Sequence, residues 1–562
     1  MLKMNKNKPL SEYPRPQLKR DSYLSLNGHW EYAIRDNENI PESFDGQILV
    51  PYSPECPLSE VNRIVKPNEW LFYKLEFKLE PSFIKDKVLL HFTAVDQIAD
   101  VYLNDQYLGQ HIGGYLPFEF DIKPYLKDNN VLIVRVKDYS DTSFYSRGKQ
   151  KINRGGIWYT PQSGIYLPVW IESVSNDYIQ KLFITPDVDN RVITIEVLSN
   201  ADKVVIELLD KEYNLPNKKK ISIKIDNPHL WSPEDPYLYQ FKVKTKNDSV
   251  SSYFAFRKVS LIEHNGHKVI ALNNKPYFMK GVLDQGYYKD GLYTPNSYEA
   301  YEKDIRLVKE LGFNTIRKHI KIEAPYWYYL CDKLGLLVWQ DFINGGETYK
   351  FSTIAFPLIT GIHHKDNNYK KFARNNPQGR EQTKEEFRDI ISYLYNSPSI
   401  VLWTIFNEGW GQFDSKEIYN SLKEVDKTRL FDHASGWHDQ GVSDVKSLHV
   451  YFKKVKLPNK KKTNNRAIVL SEFGGFLLPI EGHSQKGKAT YRSYKDKDEW
   501  LKVYENCISR DVIDNISKGL CACIYTQLSD VEDENNGFIT YDREVVKIKP
   551  SLIKDINDSI KF

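Results

Sequence analysis

The chain has 562 residues, too many for one hydrophobic core, and this length suggests about three or four domains. Hydrophobic residues make up 41% and aromatic residues 14%, which excludes a compositionally disordered chain. With 78 basic and 74 acidic residues the net charge is only +4, which gives no reason to expect nucleic acid as a partner.

The opening stretch, MLKMNKNKPLSEYPRPQ, is polar and lacks an apolar h-region, so no signal peptide is expected. No run of 18 apolar residues follows, so no membrane partner is expected and a cytoplasmic location is the default. Residues 1–175 contain short β-rich runs at 73–79, 87–92, 99–104, 130–136 and 168–174, separated by turn signals such as Asn104-Asp105 and Gly113-Gly114. This pattern predicts an N-terminal jelly-roll β-sandwich. Residues 176–262 carry roughly seven further strands in about 85 residues, the size of an immunoglobulin-like β-sandwich. Its Pro-punctuated segment 227–239 reads as the corner before an edge strand.

From 263 to 562 strands alternate with helical stretches, the pattern of parallel βα units. Eight strands are predicted, at 277–282, 314–319, 336–342, 400–408, 430–437, 447–452, 467–474 and 521–530. Helices are predicted at 297–312 and 384–396, among others. Eight such units in about 290 residues make a C-terminal (β/α)8 TIM barrel, whose chemistry belongs at the C-terminal strand ends. The five cysteines, Cys56, Cys331, Cys507, Cys521 and Cys523, are sparse and odd in number, as a reduced compartment permits. Cys521-Ala-Cys523 has the wrong spacing for a zinc pair and reads as buried strand.

The strand ends are polar. Strand four runs Ile400-Val401-Leu402-Trp403 and finishes in Asn407-Glu408, while strand seven finishes in Ser471-Glu472-Phe473-Gly474. A carboxylate closing a buried strand costs free energy unless something uses it. Either glutamate alone has a structural ion pair as its ordinary explanation. Two of them facing each other over one barrel mouth match glycoside hydrolysis, where one carboxylic acid protonates the leaving oxygen and one carboxylate attacks the anomeric carbon. Retention of configuration requires a separation of about 5 to 5.5 Å, and inversion about 6.5 to 9.5 Å.

Asn407-Glu408-Gly409-Trp410-Gly411 together with Ser471-Glu472-Phe473-Gly474 resembles glycoside hydrolase family 2, the β-galactosidases, β-glucuronidases and β-mannosidases. The resemblance extends over nearly the whole chain. It includes Pro14-Arg15-Pro16, Leu26-Asn27-Gly28-His29-Trp30, Gly164-Ile165-Tyr166-Leu167-Pro168-Val169-Trp170, Phe254-Ala255-Phe256-Arg257, Asn273-Asn274-Lys275-Pro276 and 330–338. It implies Glu408 as acid/base and Glu472 as nucleophile of a retaining, exo-acting enzyme without a cofactor, and a carbohydrate substrate. Asn407 would then bond the sugar 2-hydroxyl, Arg317 would hold the nucleophile ionised, and Tyr451 would donate to it. A structural salt bridge and core packing are the plainer roles for Arg317 and Tyr451. Asp284, His319, Asp341, Trp437 and His449 are expected sugar contacts or their supports, and Trp410 a stacking ring or a wall. Tyr525, Gln527 and Asp530 occupy the region where the family usually has a tryptophan and a carboxylate; the tryptophan is absent.

Two departures narrow the expectation. Leu283-Asp284-Gln285-Gly286 replaces the Arg-His-Glu that contributes to a metal site, so no metal is expected. Glu534-Asn535-Asn536 replaces the Asn-x-Lys that grips a glucuronide carboxylate, which argues against a glucuronide. A β-galactoside is the preferred substrate, with a glucuronide, galacturonide, mannoside or α-L-arabinoside as alternatives within the family. An inactive carbohydrate-binding protein is the alternative of another class. The run 453–462, rich in lysine, reads as solvated surface or, in second place, as a contact for an acidic substrate. The sequence stops soon after strand eight, so the further sandwich domains of larger β-galactosidases are expected to be missing. A homo-oligomer stays open, with no interface identified.

Overall fold

A computed structural model describes residues 8–215, 219–485 and 491–562. The first sandwich packs a six-stranded antiparallel sheet on a four-stranded one. The larger sheet orders Gly46–Val50, Gly28–Arg35, Trp70–Phe77, Asn130–Lys137, Ile98–Leu103 and Gln106–Ile112. The smaller orders Leu24–Ser25, Val169–Val174, Lys87–Phe92 and Phe118–Asp121. Alternation along each strand makes the core: Leu132, Val134 and Val136 point inward against Leu90, Phe92 and Ile171 of the facing sheet.

The second sandwich sets Ile179–Asp187, Val192–Ser199 and Lys220–Lys224 against Lys211–Asn214, Val205–Leu208, Tyr239–Lys244 and Ser249–Phe254. The segment 227–239 does not lead into an edge strand as expected. Tyr239–Lys244 pairs on both sides, with Val205–Leu208 and Ser249–Phe254. The prolines serve a dock instead: Trp231 is fully buried and its indole N–H donates to the Asp332 carbonyl in the barrel at 2.8 Å.

The barrel strands are β1 (Met279–Asp284), β2 (Thr315–Lys318), β3 (Leu337–Asp341), β4 (Ile400–Thr404), β5 (Leu430–Asp432), β6 (Val445–Val450), β7 (Ala467–Gly474) and β8 (Leu520–Thr526). Their pairing is parallel throughout, β8 adjoining β1, and β5 and β6 meet where the Asp444 N–H donates to the Phe431 carbonyl at 3.1 Å. Helices α1 (Tyr298–Glu310), α2 (Pro325–Leu334), α3 (Pro377–Leu394), α4 (Ser415–Val425), α5 (Lys497–Cys507) and α6 (Pro550–Asp558) cover the outside. Among the described residues no long helix follows β5 or β6. Helix α3 starts seven residues before the expected 384, because Asn376 caps it by accepting the Gly379 N–H and Pro377 sits at its first position. No helix among the described residues is long and apolar enough to cross a membrane.

Inside the barrel, Met279, Leu283, Trp339, Leu402, Val469 and Ile524 form one packed column. A hairpin, Val259–His264 with His267–Leu272, closes its N-terminal end through Val269, Ile270 and Leu272. All five cysteines are free and buried, Cys521 and Cys523 within β8. The junction between second sandwich and barrel rests on Arg257, whose buried guanidinium donates to the carbonyls of Pro398 (2.8 Å), Ile400 (2.8 Å) and Thr428 (3.3 Å). Replacing it with methionine leaves buried carbonyls unpaired at the root of β4, so Arg257→Met should cost about 2 to 4 kcal/mol. A denaturation midpoint equal to that of the wild type would contradict this role.

Candidate active site

Inward-facing positions at the C-terminal ends of β2, β3, β4 and β7 converge on one guanidinium. Arg317, fully buried on β2, uses every direction it has. Its Nε and one terminal nitrogen grip both Asp341 oxygens at 3.0 and 2.9 Å, in the bidentate geometry a carboxylate favours. It also donates to Asn407 Oδ1 at 2.8 Å, Glu472 Oε1 at 3.1 Å and the Ser471 carbonyl at 3.1 Å. The second Glu472 oxygen accepts from the Tyr451 hydroxyl at 2.5 Å. Burial alone would raise the Glu472 pKa, but the charges of His449 and Arg317 and the Tyr451 bond pull it down to about 2.

Glu408 lies past the end of β4, where the ladder has stopped and the chain turns. Its φ is +50°, a left-handed conformation that a side chain tolerates only when the surroundings enforce it. The Glu408 N–H donates to the Ser435 carbonyl at 2.9 Å, and the Trp437 indole donates to the Glu408 carbonyl at 2.9 Å. Asn344 Oδ1 accepts the Asn407 N–H at 3.1 Å, so the two residues are held one after the other. The Glu408 carboxylate contacts His449 Nδ1 at 2.8 Å, and His449 Nε2 lies 2.9 Å from Ser435 Oγ and 3.6 Å from Glu472 Oε1. Burial, with the Glu472 charge adding to it, raises the Glu408 pKa. Oxygens of the two carboxylates and a nitrogen of His449 all lie within 4.8 Å of one another. The same three side chains are a geometry that a cation could accept, although His449 already serves Glu408.

These groups open on a small cavity of about 30 Å3 lined also by Asn407, His319, Trp410, Gln285, Lys149, Tyr491, Thr526 and Glu534. His319 is fixed by its Nδ1 contact to Asp341 at 2.7 Å, and burial lowers its pKa. Three buried polar atoms on this lining have no protein partner: Asn407 Nδ2, Trp410 Nε1 and Gln285 Oε1. Such atoms suit a polyhydroxylated ligand, whose hydroxyls both donate and accept.

Some expected site residues lie elsewhere. Asp284 and Tyr525 point outward, because alternation along β1 and β8 turns Leu283 and Ile524 into the barrel instead. Asp284 pairs across the register with Lys318, itself bound to Glu323, and lies in an ion cluster behind the wall. The Tyr525 ring packs among Phe473, Trp500, Tyr504 and Phe538. Asp341, Gln527 and Trp437 support the lining rather than form it: Asp341 holds Arg317 and His319, and Gln527 joins Gln285 (2.8 Å) to Asn536 (2.7 Å). Asp530 is held by Lys547 at 2.6 Å.

The sequence reading missed Lys149, Tyr491 and Glu534 as lining residues. Glu534 stands in a motif whose departure from the family was already visible. Lys149 has no local signal at all, since it arrives on the 138–163 loop of the first sandwich. That loop docks on the segment after β8 through the Thr160 N–H to Glu532 (3.1 Å) and the Gly156 N–H to Asp533 (3.2 Å). Lys149 Nζ then lies 3.1 Å from the Tyr159 hydroxyl and 3.4 Å from Glu534, and Tyr159 also bonds Glu534.

A sandwich–sandwich–barrel chain with paired glutamates over one small polar cavity defines a class of carbohydrate-active protein. Residues 264–554 match the family described as "Glycosyl hydrolases family 2, TIM barrel domain". Residues 71–168 match its sugar binding domain and 189–257 a further family 2 region. The chain belongs to glycosyl hydrolase family 2. A β-galactosidase of Thermoanaerobacter pseudethanolicus is 26% identical over 501 residues, 82% of this chain and 62% of the relative. The chain spans 45% and 44% of two other curated relatives, less than two thirds of each of the three. In fold it is similar to a Ruminococcus gnavus β-glucuronidase in complex with uronic isofagomine, with 17% identity, TM-score 0.77, and 98% and 100% of the two chains covered. It is also similar to a β-galacturonidase from Eisenbergiella tayi bound to galacturonate, with 19% identity, TM-score 0.71, and 98% and 100% covered.

The guanidinium hub has a pH signature. Burial pushes the Asp341 and Glu472 pKa values up, but Arg317 with the nearby imidazoles brings both below their ordinary values. Their contribution to stability is therefore complete above the unfolded value of ~4 and is lost as pH falls toward the folded values. Arg317→Met should be about 3 to 5 kcal/mol less stable at pH 7. The gap to wild type should narrow as pH falls from 5 toward 3; unfolding midpoints that fall in parallel for both proteins would contradict it.

Proposed function

We propose that this chain is a retaining exo-β-glycosidase, on the single observation that the Glu408 and Glu472 carboxylates approach within 4.8 Å while their pKa values move in opposite directions. That approach fits the retaining spacing of about 5 to 5.5 Å and leaves no room for the water that inversion needs. Glu472, ionised beside Arg317, attacks the anomeric carbon, and Glu408, still protonated, gives its proton to the leaving oxygen. Glu408 then takes a proton from water, which displaces Glu472 from the sugar. Asn407, positioned by Arg317 and Asn344 with its amide donors free, bonds the sugar 2-hydroxyl.

The substrate reading is a terminal β-galactoside. It is supported by the β-galactosidases among the relatives and by Glu534, an acceptor suited to sugar hydroxyls and repulsive to a uronate. One observation favours the second reading, a glucuronide or galacturonide: Lys149 puts a cation on the cavity wall. Its charge is already met by Glu534, which is why the neutral sugar ranks first. Nitrophenyl β-galactoside, β-glucuronide, β-galacturonide, β-mannoside and α-L-arabinoside assayed side by side decide between them. A uronide preferred over the galactoside would overturn the substrate reading while leaving the mechanism.

Glu472→Gln should abolish turnover of aryl β-glycosides, and near-normal turnover would end the assignment. Glu408→Gln should lose about 10² to 10⁴ in kcat/KM for poor leaving groups and far less for dinitrophenol, which leaves without a proton. Because Glu408 must be protonated and Glu472 ionised, the basic limb of kcat/KM should lie above the ordinary carboxylic range and the acidic limb below it. Tyr451→Phe should move the acidic limb upward; an unmoved limb would show that the Tyr451 bond does not tune the nucleophile.

A further inference from the structure

Directly after β6 two residues in succession take opposite directions. Tyr451 turns inward to Glu472. Phe452 follows with φ +62°, a conformation rare for a bulky side chain, and the residue is 68% exposed. An exposed phenyl on strained backbone contributes nothing to the core. It is nevertheless held in place: its ring stacks on Tyr491 with centroids 5.9 Å apart and an interplanar angle of 22°. Tyr491 lies against Tyr451 at 5.3 Å and lines the cavity. Three rings therefore lead outward from the nucleophile, from buried Tyr451 through part-buried Tyr491 to exposed Phe452.

Beside this ring, Lys453 reaches the Leu358 carbonyl at 3.5 Å, in the short helix Phe356–Thr360 of the β3–α3 connection. The lysine run divides at this point. Val455 is buried with its N–H on Asp511, and Lys460 reaches Gly266 in the hairpin that closes the opposite end of the barrel. The lysines beyond 455 therefore lead away from the mouth, and Phe452 is what the segment presents beside the cavity.

We infer that Phe452, backed by Tyr491, is the platform for the leaving group, a site that takes a flat ring, either aryl or a second sugar. The glycone must sit over Glu408 and Glu472, so whatever is attached through the scissile oxygen points toward the rim, where an exposed ring offers a stacking face. This inference rests on the glycosidase reading.

The test compares three substrates with the same glycone: a nitrophenyl β-glycoside, a β-linked disaccharide and the glycosyl fluoride, whose leaving group carries no ring. Phe452→Ala should lower kcat/KM for the ring-bearing substrates about tenfold, leave the fluoride within about twofold, and be rescued by Phe452→Tyr or Phe452→Trp. A loss confined to the nitrophenyl substrate identifies an aryl ring as the occupant, and one confined to the disaccharide a sugar. An equal loss on the fluoride, or no loss on any, overturns the inference. Wild-type protein inert toward all three would overturn the glycosidase reading and this inference with it.

Discussion

A guanidinium with no access to water must find a partner for each of its donors, and Arg317 finds them on β3, β4 and β7. An unpaired charge at this depth would be intolerable, so the strand ends that supply Asp341, Asn407 and Glu472 are tied to one point. The cavity is built around that point. Glu472 is consequently held by two fixed donors, Arg317 and Tyr451, with the His449 imidazole 3.6 Å away, before any ligand arrives. Preorganised charge of this kind needs no rearrangement at the moment of reaction.

The two glutamates show how one residue type is given two chemistries. Glu472 sits inside a ring of donors and stays ionised far into acid. Glu408, only a few ångströms away, has one imidazole contact, apolar burial and its partner's negative charge against it. Each carboxylate helps to set the other's state: an ionised Glu472 makes ionisation of Glu408 harder. Backbone strain at Glu408 belongs to the same design, since its left-handed turn, held by the Ser435 and Trp437 contacts, delivers the carboxyl to the cavity after β4 has ended.

The first sandwich is more than an appendage. Its 138–163 loop threads to the barrel mouth, where Arg147 holds the β3 loop and Thr160 and Gly156 hold the segment after β8. Only this docking sets Lys149 against Glu534. The glutamate pair is a property of the barrel, whereas the charge balance around the cavity is a property of the assembled chain.

The division of the sequence into two sandwiches and a barrel was legible because burial imposes periods, two along strands and 3.6 along helices, that survive in any linear reading. Glu408 and Glu472 were legible because each is a charge at the end of an apolar run, a pattern that a barrel uses only at its mouth. Applied strictly, the same alternation would have removed Asp284 and Tyr525, since Leu283 and Ile524 take the inward positions beside them. The remainder depended on distance in the fold. Lys149, Tyr491 and Phe452 come from loops whose courses are set by long-range docking, and no local pattern encodes where such a loop ends. Local chemistry thus determined which groups could react, and tertiary contacts alone decided which of them share a cavity.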